Sequence, residues 1–152
     1  MKLDRYKIKA GDNLTTFEFI SEGPNGNIVK LIQFSQSEDS NLFNLAFGDK
    51  DLQTGELDDF AVSNNGDRDK ILATVVEAIY TFTEKFPGTW IYATGSTKAR
   101  TRLYRIGLAK HFEEAQVDFE IWGLFENEWC LFEKEKDYEG FAVKRKNANF
   151  DI

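Results

Sequence analysis

Thr94–Arg105, TGSTKARTRLYR, concentrates Lys98, Arg100, Arg102 and Arg105 in a chain whose formal net charge is −7. Lys98, Arg102 and Arg105 stand at i, i+4 and i+7. On a helix Arg102 and Arg105 fall within roughly 40° of Lys98, and Arg100 points to the opposite side. Like charges one turn apart repel by a few tenths of a kcal/mol, so such a strip calls for a negative partner. The chemistry it supports is charge neutralisation: cations that hold a phosphate, or that offset charge developing during phosphoryl transfer. Just before it, Thr94–Thr97 places a glycine and hydroxyls at a helix start, where exposed backbone N–H groups attract anions. The order Gly-Lys-Ser/Thr of a Walker A loop is absent.

A second helix start lies in SNNGDR, Ser63–Arg68. Arg68 shares its helical azimuth with Leu72, Val75 and Ile79, so it sits at the end of an apolar stripe. It is expected to meet Asp58, Asp59 or a bound anion. If LDDFAVS (Leu57–Ser63) and TWIYATG (Thr89–Gly95) form a parallel β-α-β unit around the first helix, both helix starts share one sheet edge. The candidate ligand site is then Asn64, Asn65, Arg68, Ser96, Thr97, Lys98, Arg102 and Arg105. No catalytic residue is assigned, because Ser96 and Thr97 have no evident base. No metal or cofactor is expected either. The acidic stretch Gly48–Asp59 departs from an EF-hand loop, with Gly55 one position late and no terminal glutamate, and reads as a solvated hairpin turn. His111 near the end of the second helix reads as a partner of the helix dipole, and Cys130 as core. Trp90, Tyr92, Trp122 and Trp129 alternate within strands and also read as core; the motif of an RNA-binding sheet is missing.

Positioning these groups takes an α+β domain, residues 1–152 as one unit. The expected architecture is a mostly antiparallel sheet of about six or seven strands with two helices packed on one face, in the order ββββ-α-β-α-βββ. GPNG (Gly23–Gly26) joins the first two strands, Thr15–Glu22 and Asn27–Gln36, as a hairpin. Asn41–Asp49 and Leu57–Ser63 follow. Ile71, Leu72, Val75, Ile79, Phe82 and Phe86 recur at helical spacing. The second helix is expected from about Thr97 to Glu114, then a meander from Val117–Phe125, Glu128–Glu135 and Gly140–Lys146.

The 152 residues, 41% hydrophobic and with 14 phenylalanines, suffice for a core built on a sheet. No run approaches the ~18 apolar residues of a membrane span. The N-terminus lacks the apolar segment of a secretion signal. One cysteine and one histidine exclude an internal disulfide and a Cys/His zinc site, and the reading is cytoplasmic.

FISEGPNGNIVKLIQF, FNLAFGD, SNNGDRDKILATV, GSTKARTRLYR and YEGFAVKRK together resemble an uncharacterised family of small bacterial proteins, a domain of unknown function. The resemblance covers almost the whole chain and implies a stand-alone bacterial cytoplasmic protein, with no established reaction. From the residues, the leading reading is a binding module for a phosphate-bearing ligand or nucleic acid. Two others stay open. One is a toxin-like RNase or phosphotransfer enzyme using the same arginines, with Tyr104 or His111 carrying protons. The other is a protein–protein interaction domain whose basic strip is purely structural. Oligomeric state is left open.

Overall fold

Alternating apolar side chains define the strands before any long-range contact forms. A computed structural model describes residues 4–11, 14–39, 41–58, 64–95 and 97–146. Its elements are β1 (Lys9–Ala10), β2 (Thr16–Gly23), β3 (Gly26–Gln36), β4 (Leu42–Lys50), β5 (Leu57–Asp58), α1 (Arg68–Lys85), β6 (Trp90–Ala93), α2 (Lys98–Asp118), β7 (Phe119–Phe125), β8 (Glu128–Leu131) and β9 (Gly140–Arg145). The strands form one sheet in the order β1-β2-β3-β4-β6-β9-β7-β8, with β5 also on β4.

The α+β class and the two helices match expectation, but the sheet has nine strands instead of six or seven. β1 adds a strand at the start of the expected order. Its two residues are exposed, too short to show any apolar period. Of the expected strand Leu57–Ser63, only β5 falls among the described residues; residues 59–63 lie outside them. The β7–β8 turn has Glu126 and Asn127 at φ 51° and 66°, as a two-residue hairpin loop requires; at the β2–β3 turn the positive φ, 91°, falls on Gly26, the first residue of β3.

β4 and β6 pair in parallel, and α1 lies between them in the chain. β6 and β7 are each antiparallel to β9, hence parallel to one another, and α2 connects them. Two right-handed crossovers progressing the same way along a sheet place both helices on one face. The parallel unit around α1 therefore starts from β4. The expectation that Leu57–Ser63 supplies that strand is corrected, because β5 turns back antiparallel along β4.

Phe17, Ile32, Phe34, Phe47, Ile91 and Phe141 face the helices and are almost fully buried. On α1 the buried set includes Ile71, Leu72, Val75 and Phe82, as its period predicts. On α2 it is Tyr104, Gly107, His111 and Ala115. A Cβ on Gly107 would stand 3.0 Å from Leu72 Cδ2, so the helices approach closely there. Beside this crossing is an apolar cavity of ≈ 50 Å³, lined among others by Leu72, Val75, Tyr104, Ile91 and Phe141.

The tryptophans were expected in the core, and the register corrects this. Ile91 and Ala93 point to the helices, so Trp90 and Tyr92 point away. Their cross-strand partners Lys144 and Ala142 share that outer face, and Ala142 pairs in turn with Trp122. Trp129 joins them at the sheet edge, with its ring centroid 5.8 Å from that of Tyr92.

Candidate functional site at the start of the second helix

The chain leaves β6 and turns sharply into α2. Thr97 is the N-cap: its side chain accepts from the Arg100 amide at 3.1 Å. The Gly95 amide donates to Thr101 Oγ1 at 2.9 Å. A Cβ on Gly95 would lie 2.3 Å from the Thr101 nitrogen and 2.5 Å from Arg100 Cβ. Gly95 is thus required by close approach to the chain's own first helical turn, where the sequence suggested room for a ligand. Ser96 lies outside the described residues.

The four cations have different fates. Arg100 folds inward, donating from Nη1 to the Phe47 carbonyl at 2.7 Å with its guanidinium 5.2 Å from the Phe47 ring centroid. Lys30 reaches the same ring and is buried in an ion pair with Asp49. Arg105 meets Asp137 at 3.3 Å, but Asp137 is almost fully solvated, so the pair holds it weakly. Lys98 and Arg102 are exposed and have no acidic partner among the described residues. One turn apart, they keep the repulsion that the sequence predicts.

The other half of the expected site does different work. Asn64 takes a left-handed φ of 41° and offers its carbonyl to Asn25 Nδ2 at 3.1 Å. Asn65 is buried; its Oδ1 accepts from the Asn25 amide at 2.8 Å, and its Nδ2 donates to the Gly26 carbonyl at 2.8 Å. Asp67 begins α1 without capping it. Its Oδ2 is instead taken by Tyr6 OH and Ser21 Oγ, both at 2.5 Å. These residues clamp the β2–β3 hairpin to α1. Arg68 is exposed, so the expectation that it ends the buried stripe is corrected; the carboxylate it meets is its neighbour Asp69, at 3.5 Å, rather than Asp58, and Asp59 lies outside the described residues. Asp69 also receives Lys110 at 2.8 Å. Lys98 stands twelve residues before Lys110 on α2, about 18 Å along the helix axis. The structure therefore gathers Thr97, Lys98, Arg102 and Arg105 at one place. It puts Asn64, Asn65 and Arg68 at another.

A family model described as a family of unknown function (DUF6934) matches residues 2–146. The chain belongs to this family. The match takes in both crossovers and all the stretches on which the sequence resemblance rests. No curated protein and no solved structure matches the chain. The family description assigns no reaction to a DUF6934 domain.

Elsewhere in this DUF6934 domain, no group of His, Cys, Asp or Glu among the described residues is arranged to hold a metal ion. The acidic turn is closed locally, with Asp51 Oδ1 accepting from the Gln53 amide at 2.8 Å. Cys130 is partly buried, its Sγ 3.7 Å from the Gly123 carbonyl. No described helix is long and apolar enough to cross a membrane. Tyr104 and His111, the proton carriers of an enzymatic reading, are both buried, at 7% and 5% exposure.

His111 was expected to be a charged partner of the helix dipole. Burial instead lowers its pKa below the ordinary 6.5; Glu114 and Asp69 favour the cation, Lys110 opposes it, and desolvation dominates. Its Nε2 has no hydrogen-bond partner among the described residues. The consequence for pH has a definite sign. Above about pH 6.5 the ring is neutral in both folded and unfolded chains, and nothing is lost. As pH falls from there toward the lowered folded value, only the unfolded chain gains the proton, and stability drops. Melting temperatures at pH 7.5 and 5.5 are expected to differ less in His111→Gln than in the wild type. Equal differences would show that His111 does not contribute.

Proposed function

We propose that this DUF6934 chain is a non-catalytic binding module for a phosphate-bearing ligand, held at Thr97, Lys98, Arg102 and Arg105. The supporting observation is that Lys98 and Arg102 stand exposed, one turn apart and without an acidic partner among the described residues, although the chain has an excess of acids. A bound phosphate removes their mutual repulsion. Arg102 offers a planar fork to two phosphate oxygens, and Lys98 a compact charge. The Arg100 amide is taken by the Thr97 cap, but the Lys98 and Ala99 amides, with no carbonyl one turn back, add to the positive end of the helix. Arg105 joins by exchanging its solvated partner Asp137 for the ligand.

Titration calorimetry with inorganic phosphate and with a 5′-phosphorylated oligonucleotide tests this reading. Lys98→Glu/Arg102→Glu is expected to weaken binding at least tenfold while moving the melting temperature little, since both side chains are solvated. Stronger binding of the oligonucleotide, with a steep salt dependence, assigns the site to nucleic acid. Absence of binding by the wild type, or unchanged affinity in the charge-reversed variant, removes the proposal.

A further inference from the structure

The sheet face opposite the helices carries Trp90, Tyr92, Trp122, Leu124, Trp129 and Leu131. All three tryptophans of the chain are here. The side chains form one layer. Tyr92 leans over Gly140, where a Cβ would lie 3.2 Å from its ring, and reaches Trp129 edge to face. Lys144 covers Trp90, 5.5 Å from the ring centroid. Toward the β8 edge the layer opens to water: Trp129 is 46% and Leu131 63% exposed. Contiguous apolar surface of this kind marks an interaction site.

We infer that this face docks a second copy of the same chain, sheet against sheet, about a two-fold axis. Two features favour that occupant. The first is charge. Lys144 and Glu120 are cross-strand partners on this face, and within the patch around the tryptophans they balance. Two copies therefore meet without facing net like charge, despite the chain's −7. A nucleic acid needs a basic rim that one lysine does not supply. The second is size. The five strands from β4 to β8 in the sheet, four to nine residues long and spaced about 4.8 Å apart, average about six residues and present roughly 24 Å by 20 Å. Corrugated by large side chains, that footprint is of the order of the ~800 Å² per partner in a standard interface. Stacked sheets separated by ~10 Å interdigitate side chains of this kind.

Sedimentation equilibrium of the full chain, from micromolar to about millimolar concentration, tests the inference. The wild type is expected to pass from monomer to dimer. Leu131→Glu changes a mostly solvated side chain and should fold normally by circular dichroism. Because a two-fold contact presents each substitution twice, it is expected to raise the dimer dissociation constant about 100-fold. Trp90→Glu, three strands from the β8 edge, separates face packing from edge pairing and should weaken the dimer as well. A wild type that stays monomeric throughout overturns the proposal. So does a dimer that survives both variants, or a monomer that binds an oligonucleotide through Leu131.

Discussion

Phe82→Ala is expected to destabilise the protein by about 3–5 kcal/mol and to lower its melting temperature by roughly 10 °C or more. Phe82 has no measurable exposure. Its ring stacks on Phe34 at 4.2 Å and touches Phe43 at 5.0 Å and Phe86 at 4.9 Å. Removing it empties the junction of α1 with β3 and β4. Rings held on three sides by other rings cannot collapse far into the space, so most of the cavity cost persists. The existing apolar cavity is lined by other residues and gives no relief. Urea unfolding with an unchanged m-value is the measurement, and Leu52→Ala, at a 79% exposed position, is the control that should move by less than about 0.5 kcal/mol. A Phe82→Ala loss below about 1.5 kcal/mol would mean that α1 does not dock as described.

Gly23→Ala is the second large effect, of about 2–4 kcal/mol. A Cβ there would lie 2.0 Å from the Asn65 carbonyl oxygen and 2.8 Å from Asn65 Cγ. The hairpin must move away, and the bonds from Asn65 to the Asn25 amide and the Gly26 carbonyl must lengthen or break. Because the nearest obstacle is backbone, Asn65→Ala does not make room. The double variant should be at least as unstable as Gly23→Ala alone. Amide exchange adds a local signature, with the Asn25 amide losing protection before the β4–β6 ladder does. Rescue by Asn65→Ala would show that the contact is made by the side chain and that the backbone has room.

The readable parts of the sequence were those with a local period. Ile71, Leu72, Val75 and Phe82 give α1 an apolar stripe, and Gly23–Gly26 announces a hairpin. The second helix was harder to read. Its buried line is Tyr104, Gly107, His111 and Ala115, small or polar residues that carry little apolar signal. For the same reason the burial of His111 was missed. The cationic strip was visible from spacing, but its partners were not. Asp137 lies on a loop after β8, and the hairpin that occupies Asn65 and Asp67 is some forty residues upstream. Alternation in β6 separated Trp90 and Tyr92 from Ile91 and Ala93 correctly. It could not say which set the helices cover, and the larger rings turned out to be the uncovered ones.

β9 sits between β6 and β7, the middle of one half of the sheet, yet it is synthesised after every one of its neighbours. While the polypeptide is still emerging from the ribosome, β6 and β7 each present a bare flank, and the two halves have no shared ladder. Closing the sheet thus waits on β9, and until it arrives the nascent chain offers two vacant strand edges to any neighbour able to fill them.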